Sequence, residues 1–333
     1  MIRWGIVGYG WLARDYADPA LRALDDARLV AACDPDPAAR ELARSRGLIA
    51  VADIEALCDI VDVVYIATPN STHRDLVERA AARGKHVLCE KPMATSLADG
   101  EAMLAACARA NVVYATAYDQ RHHPAHRRLR ASIAAGELGI VTAIRIVYAC
   151  WLPAAWASDN WRVDAARSGG GALVDLAPHG LDLVTMLLDD AIVEARAFAQ
   201  RRVQAYDVDD GATIVARTHG DVLAQLHVAY NHPETLPRRR LEIVGTRGLA
   251  TAHDTMGQTP GGTLAICDAA TGYWNAIAFD EIASPFAGLV RSFTNVVASG
   301  SGFDRTAANR ERAALAIFDR LVRDAASEAV ACR

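Results

Sequence analysis

The sequence predicts an α/β protein. An N-terminal doubly wound parallel sheet spans residues 1–118, and a C-terminal α/β domain with a largely antiparallel open sheet spans residues 119–333. In the first part, short runs rich in β-branched residues alternate with helical stretches, which is typical of a parallel sheet covered by helices on both faces. In the second part, long strand-like runs follow one another, which is typical of antiparallel pairing with helices on one side.

The first predicted strand, residues 2–7, is followed directly by Gly8, Gly10 and Ala13. In a dinucleotide-binding strand, turn and helix, the first glycine permits the tight turn and the second lets backbone amides approach a pyrophosphate. The small third residue packs the helix on the sheet, and the helix N-terminus favours an anion. The predicted pyrophosphate-binding residues are Gly8, Tyr9, Gly10, Trp11 and Leu12.

Asp34 stands at the end of the second predicted strand, residues 27–33. An acidic residue roughly 20 positions beyond the glycine-rich turn accepts hydrogen bonds from the ribose hydroxyls of a dinucleotide. Asp36 follows, and no basic residue occurs before Arg40, so a 2′-phosphate would meet two negative charges without a nearby partner. We therefore expect NAD, with NADP less favoured; the alternative is that residues 34–37 only form a turn.

Two later predicted strands end in polar residues. These are Thr68, Pro69 and Asn70 at the end of the run 61–68, and Glu90 and Lys91 at the end of the run HVLCEKP, residues 86–92. In doubly wound sheets, ligands bind beyond the carboxyl ends of the strands. We expect these residues to converge in one crevice with the glycine-rich turn and Asp34.

Composition narrows the class of protein. With 333 residues, 52% hydrophobic and 23% charged, the chain is long enough for two globular domains, and its net charge of −5 argues against nucleic-acid binding. Its seven cysteines are odd in number and never form a CxxC pair, which predicts a reduced, cytoplasmic protein. We find no secretion signal and no apolar run of about 18 residues, so we expect no membrane attachment.

The histidines His122, His123 and His126 could place two imidazoles on one helix face, as some metal sites do. Pro124 interrupts that spacing, and no thiol or carboxylate nearby completes a ligand set. We expect no metal.

Four segments, taken in order, resemble the Gfo/Idh/MocA family of NAD(P)-dependent oxidoreductases, which includes inositol dehydrogenases and glucose–fructose oxidoreductase. They are GIVGYGWLA at 5–13, VYIATPNSTH at 64–73, GKHVLCEKPMA at 84–94 and GGGALVDLAPHGLDL at 169–183. The resemblance implies a Rossmann domain, then an α/β domain whose open sheet mediates a homodimer or homotetramer. It also implies hydride transfer between a nicotinamide and a carbinol carbon of a sugar, polyol or cyclic alcohol.

The resemblance also assigns the catalytic residues. Lys91 matches the lysine of the family's Glu-Lys-Pro motif, where an ammonium can stabilise negative charge on the reacting oxygen. Asp175 and His179 match the family's paired aspartate and histidine and share one helix face at i and i+4. His179 is the expected general base, and Asp175 either orients it or binds a neighbouring substrate hydroxyl. The glycines at 169–171 are expected to let the helix start approach the ligand closely.

Three further residues match cleft-lining positions of the family. Trp161 and Arg162 match a Trp-Arg pair by the cleft, and Arg121 resembles a ligand-facing arginine. His73 is expected to support the loop beside the nicotinamide, and the aromatic loop 150–161 to select the substrate. Because no low-complexity linker separates the domains, we expect them to pack together with the ligand cleft between them.

Two other functions remain open. Some family members keep NAD bound and oxidise a sugar only transiently, for instance to cleave a glycosidic bond, and others are non-catalytic NAD-sensing regulators. The presence of both Lys91 and His179 favours catalysis over regulation.

Overall fold

The computed structural model describes residues 1–153, 155 and 160–331. The chain divides into two compact units: Met1–Tyr118 with Phe286–Leu315, and Asp119–Pro285 with Ala316–Arg333. The aromatic loop 150–161, predicted to select the substrate, lies partly outside the described residues, and Cys332 lies outside them entirely.

The first unit is built on a parallel sheet of six strands. The strands are β1 (Ile2–Val7), β2 (Ala27–Cys33), β3 (Ile49–Val51), β4 (Val63–Ile66), β5 (His86–Glu90) and β6 (Tyr114–Ala117). Their order is β3-β2-β1-β4-β5-β6, and every pair is parallel. This is the order of a Rossmann sheet, whose direction of winding changes between β1 and β4. The predicted doubly wound sheet is therefore confirmed.

Helices flank these strands, and several begin at capping residues that the sequence supplies. They are α1 (Asp18–Arg22), preceded by a π-helical turn at Ala13–Ala17, α2 (Pro37–Ser45), α3 (Ile54–Cys58), α4 (His73–Ala82) and α5 (Leu97–Ala110). Asp36 and Asp53 cap α2 and α3, each accepting a backbone N–H at 2.9 Å. Asp36, which the sequence suggests as a second charge beside the ribose, thus also has a structural role.

A segment far along the chain completes the first unit. Helix α9 (Pro285–Ala298) buries Phe286, Val290 and Phe293 in the same apolar cluster as Trp4 of β1. The rings of Trp4 and Phe293 meet edge to face at 5.5 Å. Chain order alone assigns this helix to the second domain, because helical spacing identifies an apolar face but not the surface that covers it.

The second unit is built on an eight-stranded sheet. Its strands are β7 (Val141–Ala149), β8 (Ile192–Gln200), β9 (Gly211–Thr218), β10 (Leu223–Ala229), β11 (Arg239–Gly245), β12 (Gly248–His253), β13 (Thr263–Asp268) and β14 (Trp274–Ala276). The order is β14-β13-β12-β11-β7-β10-β9-β8, and all neighbours are antiparallel except β7 and β10. The predicted, largely antiparallel open sheet is confirmed.

Helices cover one face of this sheet. Three lie within the second unit, α6 (Pro124–Ala134), α7 (Ala165–Ser168) and α8 (Ala172–Leu188), and the last helix, α10 (Arg305–Ala331), ends the described chain. Ile214 and Leu226 are buried under them, whereas their neighbour Val215 is exposed on the other face. A Cβ on Gly180 of α8 would stand 2.6 Å from Leu226, so glycine here permits close contact with the sheet.

One stretch, Ala165–Leu188, is long and apolar enough to cross a membrane by length and composition alone. In its most apolar window, 72% of the residues are buried inside the protein. This is the burial expected of a core helix.

Candidate active site

The glycine-rich turn after β1 is shaped by two different glycines. Gly8 has a φ of +86°, and a Cβ there would stand 2.6 Å from the carbonyl oxygen of Ala67, after β4. An L side chain is disfavoured on both counts. A Cβ on Gly10 would meet no protein atom within 4 Å. The space above Gly10 is therefore open for a ligand, while Gly8 is required by the fold.

Asp34, after β2, is held directly beside this turn. Its Oδ2 accepts the backbone N–H of Tyr9 and its Oδ1 that of Asp36, both at 2.8 Å. The guanidinium of Arg40 donates instead to the backbone carbonyls of Asp34 and Pro35, also at 2.8 Å. The carboxylate is thus fixed in orientation at the predicted ribose position.

The side chains of the turn differ in exposure. Tyr9 is buried, and its hydroxyl donates to Asp18; burial first, and then that carboxylate, raise its pKa to about 12. Since its backbone N–H binds Asp34, Tyr9 contributes to the fold of the predicted cofactor site. Trp11 is 40% exposed and packs edge to face on Tyr16, and Leu12 is half-buried.

Lys91 follows β5 at the same edge of the sheet. It is half-buried, and its peptide bond to Pro92 is cis. Its backbone N–H donates to Oε2 of Glu90 at 3.2 Å, and the hydroxyl of Tyr65 donates to the other carboxylate oxygen. Glu90, predicted to lie in the ligand crevice, is therefore buried and engaged within the protein. Tyr65 was not predicted, because it lies inside an apolar strand.

His73 connects two of the predicted loops. Its Nδ1 lies 3.1 Å from the carbonyl oxygen of Pro92, and its Nε2 lies 3.1 Å from that of Thr68. Burial lowers the pKa of His73, and the charge of Lys91 acts in the same direction, so the ring is neutral and can donate only one of these bonds at a time. Thr68 and Pro69 are half-buried beside this ring, and Asn70 is buried.

These contacts bring the predicted residues of the first unit together at the carboxyl ends of β1, β2, β4 and β5. The open space above Gly10, the oriented carboxylate of Asp34 and the helix N-terminus after the turn fit a dinucleotide. Lys91 stands at the same edge, beside the loops that His73 joins. This arrangement can bind a dinucleotide cofactor, with Lys91 at the same edge of the sheet.

In the second unit, Asp175 and His179 have different partners although both lie on α8. Oδ2 of Asp175 accepts the hydroxyl of Tyr230 at 2.7 Å and lies 3.8 Å from Nε of Arg162. The guanidinium of Arg162 stacks 4.6 Å above the ring of Trp161. The predicted residues Trp161, Arg162 and Asp175 therefore form one cluster, and the buried Tyr230 is a member that was not predicted.

His179 faces a different carboxylate. It is 4% exposed, and its Nδ1 lies 3.3 Å from Oδ1 of Asp119, which is 3% exposed. The pair is within ion-pair distance, although the ring is not aligned for a regular hydrogen bond. Tyr148 of β7 packs edge to face on the imidazole, at 5.5 Å between ring centres.

Arg121, predicted to contact substrate, binds Asp182 of α8 through Nε at 2.9 and 2.8 Å to the two carboxylate oxygens. The carboxylate is buried, and this burial raises its pKa despite the opposing charge of Arg121. Because the guanidinium is 43% exposed, one side of it still faces solvent. Arg121 thus joins the segment after β6 to the helix that carries His179.

The glycines before α8 approach a carboxylate of the chain itself. A Cβ on Gly171 would stand 2.0 Å from the backbone oxygen of Asp209. The side chain of Asp209 accepts the N–H groups of Gly171 and Leu173 at 2.8 and 2.7 Å, so it caps the helix. At Gly171, the close approach that the sequence predicts for a ligand is made by Asp209, whose carboxylate occupies the helix N-terminus.

Gly171→Ala tests that contact. We expect a lower melting temperature, because the added methyl must displace backbone and such overpacking costs about 1–3 kcal/mol. The melting temperature is measured by scanning calorimetry. Gly220→Ala, which meets only the side-chain end of Asp190 at 3.0 Å, is the matched control and should melt like wild type. Equal melting of both variants would contradict the assigned packing.

The histidine cluster has structural partners. His123 caps α6 through Nδ1, and His126 lies 2.9 Å from the backbone oxygen of Gln120 and 3.0 Å from the hydroxyl of Thr255. Burial is the main factor that lowers the pKa of His122 and His123 to about 4 and that of His126 to about 3. Among the described residues, no group of three or more His, Cys, Asp or Glu is placed to hold a metal ion.

Comparison with known proteins identifies the family. Residues 2–118 match the model of an oxidoreductase family with an NAD-binding Rossmann fold, and residues 126–251 match the GFO/IDH/MocA C-terminal domain. The chain is 32% identical over 273 residues to 1,5-anhydro-D-fructose reductase of Ensifer adhaerens, and the alignment covers 81% of each protein. The chain belongs to the Gfo/Idh/MocA family.

Further similarities agree with this Gfo/Idh/MocA membership. The chain is 31% identical over 218 residues to D-xylose 1-dehydrogenase (NADP⁺) of Haloarcula marismortui. This alignment covers 63% of this chain and 61% of that protein. Its fold matches the crystal structure of aldose–aldose oxidoreductase from Caulobacter crescentus with a TM-score of 0.87, at 23% identity over 98% of each chain. The first unit is thus the NAD(P)-binding domain of a Gfo/Idh/MocA oxidoreductase.

Proposed function

We propose that this protein is a dehydrogenase that transfers a hydride between a nicotinamide cofactor and a carbinol carbon of a sugar or polyol. The observation that carries the proposal is Lys91 at the carboxyl end of β5, on the same strand-end edge as the open turn at Gly10 and the oriented Asp34. The related reductase and dehydrogenase act, by their names, on an anhydro sugar and a pentose, which supports a sugar-like substrate.

The chain's own residues have separate roles in this proposal. The nicotinamide, when bound, supplies the hydride acceptor in oxidation and the hydride donor in reduction. During oxidation, His179 takes the proton of the substrate hydroxyl while Lys91 donates a hydrogen bond to the same oxygen and stabilises its negative charge. Asp175, with Tyr230 and Arg162, binds a neighbouring hydroxyl of the substrate.

We further propose NAD as the preferred cofactor, since the carboxylate of Asp34 suits ribose hydroxyls and repels a 2′-phosphate. Asp34→Ala should lower the ratio of kcat/KM for NAD to that for NADP about tenfold or more, the equivalent of one charged hydrogen bond of about 1.5 kcal/mol. Asp53→Ala, which removes a helix cap at the same sheet edge, is the control and should leave the ratio unchanged. An unchanged ratio in Asp34→Ala would refute the ribose assignment.

The second unit's open sheet supports assembly with a second copy, as a homodimer or homotetramer. Apolar side chains lie on its uncovered face, including Phe198 at 69% and Val215 at 48% exposure. Light scattering of the purified protein measures the oligomeric state, and a monomer would contradict the proposed assembly.

The six cysteines in the described part of the chain are free, which supports the proposed cytoplasmic location.

The deciding experiment follows absorbance at 340 nm with NAD or NADP and a panel of inositols, aldoses and sugar acids. Reduced cofactor forming with one polyol or sugar would establish a dehydrogenase and its substrate class. If the cofactor binds and no reduced form accumulates, product analysis distinguishes transient oxidation of a glycoside from a regulator, because only the former changes the sugar.

A further inference from the structure

We propose that Asp119 positions His179 for proton transfer by holding the ring proton on Nδ1, which leaves Nε2 as the proton acceptor. Oδ1 of Asp119 lies 3.3 Å from Nδ1, and both side chains are almost fully buried. A carboxylate within ion-pair distance of one imidazole nitrogen favours the tautomer that carries the proton on that nitrogen. Asp119 lies between the two segments that match the family models, residues 2–118 and 126–251.

The burial of Nδ1 decides which ring nitrogen can act. Nδ1 of His179 has almost no accessible surface and faces Asp119, so Nδ1 is closed to a substrate hydroxyl and the proposal assigns proton transfer to Nε2. A neutral imidazole protonated at Nδ1 carries its lone pair on Nε2, which is the form a general base requires. The opposite tautomer would present an N–H to the substrate and could not accept its proton.

Asp175, the family's partner of His179, is engaged elsewhere. Its Oδ2 accepts the hydroxyl of Tyr230 at 2.7 Å and lies near Arg162. His179 forms its ion-pair contact with Asp119. The sequence left two roles open for Asp175, orienting the base and binding a substrate hydroxyl. In this proposal Asp119 orients the base, and Asp175, with Tyr230 and Arg162, binds the hydroxyl.

Asp119 is itself held in place. Its Oδ2 accepts Nε2–H of the buried Gln120 at 2.9 Å, and the same amide nitrogen donates to the carbonyl of Gly257 at 2.7 Å. His126 contacts the backbone oxygen of Gln120 at 2.9 Å. The carboxylate is therefore fixed from the side away from His179, and the histidine cluster supports that turn.

A second contact fixes the same segment on α8. Arg121 binds both carboxylate oxygens of Asp182, which lies about one helical turn beyond His179. Two successive pairs, Asp119 with His179 and Arg121 with Asp182, therefore join residues 119–122 to the helix. This double attachment limits the rotation of the imidazole relative to Asp119.

The inference rests on the proposed role of His179 as base, and a double-mutant cycle tests it. Asp119→Asn should lower kcat about 10²- to 10⁴-fold, the range that a positioned general base contributes. The substrate KM and the NADH dissociation constant should stay unchanged, and Asp119→Glu should recover part of kcat. In a His179→Ala background, Asp119→Asn should cause no further loss, because residues that act through one another are not additive. Additive losses would overturn the proposal.

Asp210→Asn is the matched control. Asp210 is fully buried in the same unit and accepts the N–H groups of Arg202 and Gln204 at 3.0 and 2.8 Å. Its loss should lower the melting temperature and leave kcat unchanged. An equal fall of kcat in both variants would mean that Asp119 acts only through stability.

A spectroscopic measurement separates this inference from the proposed function. Long-range ¹H–¹⁵N correlation spectra of histidine-labelled, unliganded protein report which ring nitrogen is protonated. We expect His179 as the Nδ1–H tautomer in wild type and a shift toward Nε2–H in Asp119→Asn. An Nε2–H tautomer in wild type would overturn the inference even if the enzyme is active. Inactivity toward every sugar, with the Nδ1–H tautomer present, would instead count against the proposed function alone.

Discussion

Lys91→Ala is expected to lower kcat about 10²- to 10³-fold, the usual loss when one donor to a developing oxyanion is removed. The affinity for NADH should change little, because the assigned role of the ammonium is in the transition state and the turn at Gly8 and Asp34 is left intact. The measurements are kcat by absorbance at 340 nm and the NADH dissociation constant by fluorescence titration.

The other lysine of the chain provides a matched control for Lys91→Ala. Only two lysines, Lys85 and Lys91, occur among its 35 lysines and arginines. Lys85 precedes β5 and Lys91 follows it, so both belong to one short segment of the same unit. Lys85→Ala should have the kcat of wild type. If Lys91→Ala also retains full kcat, the assignment of Lys91 to charge stabilisation is wrong.

Arginine should not replace Lys91 without loss. A guanidinium is a planar fork that stays charged and donates in fixed directions, whereas an ammonium is a compact point charge that can meet a single oxygen. Lys91→Arg is therefore expected to keep the positive charge and still lose most of kcat. Recovery of full activity would mean that charge alone, and not the geometry of one donor, is what the reaction needs.

The fold of the first unit can be predicted from the sequence because each strand is short and apolar and is followed by residues that are typical of turns. Gly8, Asp34 and Lys91 each follow directly after a strand, and in a parallel sheet the carboxyl ends of the strands meet at one edge. Their convergence needs no knowledge of distant contacts. The packing of α9 on β1 depends on such distant contacts, since residues near 290 and residue 4 are remote in the sequence.

Sequence-distant contacts also explain why the side-chain partners of Asp175 and His179 could not be predicted. The i, i+4 spacing correctly places Asp175 and His179 on one helix. Their partners come from other elements: Tyr230 follows β10, and Asp119 follows β6. Tyr230 lies at the end of an apolar strand pattern, so no local signal separates it from ordinary core residues.

The glycines show how one residue type can serve opposite purposes. Residues 169–171 were predicted to admit a ligand, yet Gly171 makes room for Asp209 of the chain itself. At Gly10, by contrast, a Cβ would meet no protein atom. Glycine in a sequence indicates that space is needed at the backbone. Only the structure shows whether protein already fills that space.

This difference leads to a paired prediction for the glycine-rich turn. Gly8→Ala should lower the melting temperature and abolish NADH binding, because its φ of +86° costs an L residue about 1–2 kcal/mol and its Cβ collides with Ala67. Gly10→Ala should melt like wild type and bind NADH at least about tenfold more weakly, a loss of about 1.4 kcal/mol.

Calorimetry and fluorescence titration of the two variants decide between two uses of the turn. If Gly10→Ala binds NADH as tightly as wild type, the open space there does not receive the pyrophosphate, whatever the effect of Gly8→Ala. If Gly10→Ala instead melts well below wild type, the space is needed by the protein. Only the combination of intact stability and weakened binding in Gly10→Ala agrees with a backbone that leaves room for the cofactor, since the added methyl then meets nothing but the ligand.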